Sequence, residues 1–109
     1  MRKVFKIKPE EIQQLIEPMG SCLVSDRITI EGLPVGYMYR ETPEEENDSG
    51  WRFLSGEETQ DYIDDPNNSM VFEVNTLANY DTSIIPYLKS RPGTEWERIE
   101  NSNEFAKME

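Results

Sequence analysis

From Gly50 to Glu58 the chain reads Gly-Trp-Arg-Phe-Leu-Ser-Gly-Glu-Glu, and this run narrows the possible folds more than any other. Trp51 and Phe53 share one side of an extended chain, because side chains alternate with period two. Leu54 closes the run. Ser55 and Glu58 have the S-x-x-E spacing of a capping box. A central strand over 51–54 therefore ends at a junction where a helix begins, running to about Asp64 with Tyr62 and Ile63 buried. Pro66-Asn67-Asn68 stops it.

The remaining elements follow from periodicity. Val4 to Lys8 suits a short first strand. Pro9 fits a first helical position, Glu10 and Glu11 favour a helix N-terminus, and Ile12, Leu15 and Ile16 fall on one helical face. That predicts a helix over 9–17, stopped by Pro18 and Gly20. Ser21 to Asp26 reads as a strand with Cys22 and Val24 on one side. Arg27 to Glu31 alternates, with Ile28 and Ile30 together, and Glu31-Gly32-Leu33-Pro34 is a turn. Val35, Tyr37 and Tyr39 alternate in a strand reaching Arg40. Glu41 to Gly50 is polar, acidic and punctuated by Pro43, as an exposed hairpin loop should be. Met70, Phe72 and Val74 mark a strand over 69–75. Thr76 to Asp81 reads as a compact loop or single helical turn, and Ser83 as the cap of a short helix with Pro86 in its first turn. Ile84, Ile85, Tyr87 and Leu88 cover the core there. Thr94 to Glu100 is a last strand carrying Trp96 and Ile99. Asn101 to Glu109 has little to bury and should fray.

Strands outnumber helices, and the connections are short for parallel crossovers. The expected fold is α+β: an antiparallel sheet of about five to six strands, with a meander from Ser21 to Leu54 and two or three short helices packed on it. At 109 residues the chain fits one domain, 1–109, with one modest core.

The balance of 22 acids against 11 bases gives a formal net charge of −11. Nucleic-acid binding needs a basic patch that displaces counterions, and anionic membranes attract basic segments, so neither partner is expected. The single cysteine allows no intrachain disulfide and suits a reducing, cytoplasmic home. Cys22 itself reads as a small core residue. The basic stretch Met1 to Lys6 lacks the apolar continuation of a signal peptide, and no run is long enough to span a membrane. Histidine is absent, which removes Ser-His-Asp and Cys-His catalysis and histidine-containing zinc sites. Gly-rich phosphate loops are absent too, and no cofactor is expected.

Between Glu41 and Asp65 stand ten carboxylates and one base, Arg52. Three readings compete: a solvated face, a surface for a basic protein partner, and a calcium site. Asp64-Asp65-Pro66-Asn67-Asn68 has oxygen ligands but lacks the spacing, glycine and final glutamate of an EF-hand loop. Paired acids are inevitable at this acid content, so they are no sign of acid-base catalysis. Arg52 leaves the strand on the side opposite Trp51 and Phe53. It is either paired with neighbouring acids or an interface anchor, since Arg, Trp and Tyr dominate binding hot spots. Asn75 to Asp81 is a polar stretch with a tyrosine inside it, readable as a turn held by its own side chains. The candidate partner-binding residues are Glu44, Glu45, Glu46, Asp48, Arg52, Asp61, Asp64, Asp65, Asn79 and Tyr80. No catalytic or metal-binding set emerges.

Four strings carry a family resemblance: Ser21-Cys22-Leu23-Val24-Ser25-Asp26, Val35-Gly36-Tyr37-Met38-Tyr39-Arg40, Asp48 to Gly56, and Ala78 to Leu88. Together they resemble immunity protein family thirty-three of bacterial polymorphic toxin systems, first filed as a domain of unknown function. The resemblance covers about 21–98. It implies an α+β, non-enzymatic protein that binds and neutralises a toxin domain, and it brings no catalytic residues. The other reading is a stand-alone housekeeping or regulatory module not linked to a toxin.

Overall fold

Six strands form one sheet in the order β4-β1-β3-β2-β5-β6: β1 (Ser21–Ser25), β2 (Tyr37–Arg40), β3 (Asp48–Leu54), β4 (Ser69–Glu73), β5 (Glu95–Arg98) and β6 (Phe105–Met108). The structure, a computed structural model, describes residues 3–108. Met1, Arg2 and Glu109, the ends of the basic stretch and of the tail, lie outside these residues.

The fold is α+β as expected, but the sheet is mixed. β1 runs parallel to β3, while every other neighbouring pair is antiparallel. The meander fails because Arg27 to Glu31 is not a strand. Asp26–Thr29 forms one helical turn, α1. The Ser25 hydroxyl accepts from the Arg27 amide, and Arg27 pairs with Glu31 four residues on at 3.1 Å. The chain thus leaves the sheet after β1 and returns as the β2–β3 hairpin, with β3 seated between β1 and β2.

β3 is central, and Trp51 and Phe53 are fully buried on its inner face. Their rings stack 5.7 Å apart, and the Trp51 indole N–H donates to the Leu88 carbonyl at 3.0 Å. Cys22, Val24 and Met38 join them from the neighbouring strands. Burial pushes the Cys22 thiol far above its usual range, as befits a core residue. The covering layer is α3 (Val74–Tyr80) and the 3-10 helix Thr82–Tyr87 with its C-cap Leu88; together they supply Val74, Leu77, Ile84 and Leu88.

Four further expectations give way. Val4 to Lys8 forms no strand, and only Pro9–Glu11 of the expected first helix is helical, as a 3-10 turn. The reason lies in Asn75 and Asn79, one turn apart on α3. Asn75 accepts the Leu15 and Ile16 amides, Asn79 accepts the Gln13 amide, and both donate to the Gln13 carbonyl. The backbone groups a helix would use are taken by this clasp. The polar stretch beginning at Asn75 is not a turn but helix, longer than the single helical turn that is one reading of Thr76 to Asp81, with Val74, Leu77 and Ala78 facing the core. Finally, the tail does not fray. β6 pairs with β5, and Phe105 is buried against Tyr87 and under the Arg98 guanidinium.

The junction after β3 is displaced rather than absent. Glu58 accepts the Ser55 amide at 2.9 Å, as in a capping box, but the Ser55 hydroxyl accepts the Glu57 amide at 3.2 Å instead of that of Glu58, so only half of the box forms. These bonds close a turn at Gly56. The helix, α2 (Gln60–Asp64), begins after it, capped by the Thr59 side chain. Tyr62 is half-buried, but Ile63 is 50% exposed, contrary to expectation, because it points over the outer sheet face rather than into the core.

Candidate partner-binding face

Alternation puts the odd residues of β1 and the even residues of β3 on the face away from α3. Register partners Val71, Leu23, Arg52, Tyr39, Glu95 and Met108 make one row across all six strands. No helix lies over the middle of this row among the described residues. Leu23, Val71 and Met108 are exposed. The strand reading of Val35, Tyr37 and Tyr39 as one side of β2 holds only for the tyrosines. Val35 precedes β2 and is buried, and it is Met38 that faces the core, opposite Phe53.

Arg52 is the centre of this face. Its Nε donates to Glu41 Oε2 at 2.8 Å, and its two terminal nitrogens meet the two Asp48 carboxylate oxygens at 3.0 Å each. In an unbroken strand, residues four apart stand roughly 13 Å apart. The contact forms because β3 is bulged: β1 advances from Ser21 to Leu23 while β3 advances from Asp48 to Arg52. Gly50 makes this possible with φ of 87°, and a Cβ there would meet the Glu41 carbonyl oxygen at 2.1 Å.

The ion pair is well shielded from water, and the electrostatics follow. The Arg52 hydrogen bond, with help from the Glu44 and Gly50 amides, outweighs burial and holds the Asp48 carboxyl well below its usual range. Asp48 raises the Arg52 guanidinium in turn. By accepting the Glu44 and Gly50 amides, Asp48 also shapes the acidic loop. Beside Arg52, the Tyr37 and Tyr39 rings lie 5.5 Å apart. The Tyr37 hydroxyl donates to Glu95 at 2.6 Å, and burial together with that bond pushes its phenol well above the usual value.

Two hollows flank this centre and share Leu23 and Arg52. The first, about 310 Å³, lies between the tyrosines, Leu54 and α2, which contributes Tyr62 and Ile63. Glu58 and Asp65 sit at its edge. Burial raises the Glu58 carboxyl, but hydrogen bonding to Ser25 and Ser55 more than offsets this and leaves it lowered. The second hollow, about 410 Å³, is walled by Glu41, Glu44, Glu45 and Asp48, with Val71 on its other side.

The candidate residues thus divide. Glu44, Glu45, Asp48, Arg52 and Asp65 line the two hollows, and exposed Glu46 stands in the same loop. Asp61 and Asp64 lie exposed on α2, Asp64 bonded to Gln60 at 2.8 Å. Asp65 caps the 3-10 turn Pro66–Asn68 through the Asn67 amide. Asn79 and Tyr80 stand apart, on α3, where they hold Gln13 and Ile7 of the N-terminal segment. Leu23, Tyr37, Tyr39, Ile63 and Val71 went unselected in the sequence. Leu23, Tyr39 and Val71 come to the face through the register that aligns them with Arg52, Tyr37 by alternation beside Tyr39, and Ile63 by the placement of α2, none of which local pattern reveals. Chemically the face is suited to contact: its central charges are spent on one another, and its free groups are aromatic, aliphatic or carboxylate.

Neither the curated proteins nor the solved structures contain a match to this chain. The Immunity protein Imm33 domain matches residues 22–109, a span that runs past the resembling strings and takes in β6. Most of the chain, including every strand but the first residue of β1, falls within that span. The chain belongs to the Imm33 immunity protein domain family.

Proposed function

We propose that this protein is a non-enzymatic immunity protein that binds a toxin domain with a basic surface and occludes it. The observation that carries the reading is the pair of acidic walls, the Glu41–Asp48 loop and α2 with Asp65, standing on either side of a sheet face whose middle no helix covers among the described residues. Toxin domains that attack nucleic acids hold phosphates and so present basic surfaces. An acidic rim steers such a partner and raises its association rate, an effect screened by salt.

The test uses the partner recovered by co-purification from the protein's own cells. Co-expression should protect those cells from that partner. In stopped-flow association, the triple substitution Glu44→Gln, Glu45→Gln, Glu46→Gln should slow binding and flatten its salt dependence, with little change in dissociation. Failure to protect overturns the immunity reading. Protection with an on-rate indifferent to both salt and the triple substitution overturns the acidic rim.

A further inference from the structure

We infer that the first hollow is a socket for one bulky apolar side chain, carried on a basic segment of the partner. The inference rests on the binding reading above and adds what the partner must present. The socket's floor is apolar and aromatic: Leu23, Tyr37, Tyr39, Leu54 and, from α2, Tyr62 and Ile63. At about 310 Å³ it sits at the bottom of the ~300–1,000 Å³ range of small-molecule sites, and it is open on one side. That is room for one or two side chains.

The floor is built before any partner arrives. Tyr37 is fixed by Glu95 and packs against Tyr39, and the Tyr62 ring is held under the Arg27 guanidinium at 4.7 Å. Rigid aromatic groups lose little entropy on binding, which is why tyrosines serve as anchors. Among the described residues the one cation lining the socket, Arg52, is neutralised by Glu41 and Asp48, and Arg27 behind Tyr62 is paired with Glu31, while Glu58 and Asp65 add negative charge to the lining. Charge complementarity therefore selects the occupant. A purely apolar segment would leave the carboxylates facing apolar groups, and a second copy of a chain at −11 would bring like charge against like. A segment with basic residues on both sides of an aromatic or branched side chain satisfies floor and rim together.

The probe is a set of three short peptides added to the isotope-labelled full chain and followed by NMR: Lys-Lys-Trp-Lys-Lys, Lys-Lys-Ala-Lys-Lys and Glu-Glu-Trp-Glu-Glu. The first should give saturable shifts centred on Leu23, Tyr39, Leu54 and Tyr62. The second should shift only the Glu41–Asp48 loop and α2 carboxylate region, and the third nothing. Ile63→Asp, a change at an exposed position, should weaken the first peptide at least tenfold while the melting temperature holds. Identical shift patterns for the first two peptides, shifts centred elsewhere, or an unaffected Ile63→Asp variant would overturn the socket. So would self-association of the free chain that Ile63→Asp abolishes. None of these results bears on whether the protein protects cells, so the socket can fail while the immunity reading stands.

Discussion

Arg52 shows how one side chain can serve structure and surface at once. Its guanidinium is nearly buried, and a buried cation without partners is very costly, so Glu41 and Asp48 are conditions of its being there. Replacing Arg52 with Met would leave the shielded Asp48 carboxylate unpaired, at a cost of about 3–5 kcal/mol in urea unfolding. Adding Asp48→Asn should recover part of that loss; a further loss instead would show that the pair is not the reason. The pH dependence has a defined sign. Asp48 is more acidic in the folded chain than in the unfolded one, where about 3.9 is usual. Its contribution is complete above about pH 4 and fades as the pH falls below that. The Asp48→Asn variant should therefore lose less melting temperature than the parent between about pH 5 and pH 3. Gly50 stands behind the same contact. Gly50→Ala forces a Cβ into the Glu41 carbonyl at positive φ and should cost more than about 1 kcal/mol.

Among the elements, the clasp between α3 and residues 13–16 is the most testable. Removing both side chains, Asn75→Ala with Asn79→Ala, should raise hydrogen exchange at the Gln13, Leu15 and Ile16 amides. It should leave Trp51 and Phe53 amides protected. Five hydrogen bonds are lost at about 1 kcal/mol each or less, since water replaces most of them, so the stability loss should stay below about 5 kcal/mol. Unchanged exchange at 13–16 would mean the segment is held by other contacts. The same clasp explains why this part of the chain was hard to read. The apolar spacing of Ile12, Leu15 and Ile16 is truly helical, but the competing partner lies some sixty residues away, at Asn75. Local pattern carries no sign of such a partner. Trp51 and Phe53 were legible because strand alternation is local and both sit on the central strand. The parallel β1–β3 pairing was not, because it turned on whether residues 27–31 were strand or helix. There the Ser25 cap and the Arg27–Glu31 spacing argued against Ile28–Ile30 alternation, and they won. For the site, the acidic loop and Arg52 could be named from sequence. The tyrosine floor could not, since it exists only through the register of three strands. β6 escaped notice because it has a single anchoring ring, Phe105, and truncating that ring to Ala should cost about 3–5 kcal/mol.

At the scale of the whole molecule, charge sets a balance between stability and readiness to bind. A formal charge of −11 on a chain this small repels itself, and compactness is maintained against that repulsion. Two effects of salt then oppose each other. Screening weakens the exposed Arg27–Glu31 pair, but exposed pairs contribute little to begin with. It weakens the shielded Arg52–Asp48 contact far less. Meanwhile it relieves repulsion among the carboxylates between Glu41 and Asp65, a stretch that holds ten acids and one base. Repulsion should dominate, so the melting temperature should rise as sodium chloride shortens the screening length from ~10 Å at 0.1 M to ~3 Å at 1 M. Neutralising Glu44, Glu45 and Glu46 removes three of the eleven excess negative charges, leaving −8. That variant should melt higher at low salt and respond less to added salt, while losing association rate toward a basic partner. Stability gained together with binding speed lost would identify the acidic loop as a surface kept for a partner at the fold's expense. A variant that melts no higher than the parent at low salt would show that the three glutamates are too well solvated to repel, and the stability side of this balance would be gone.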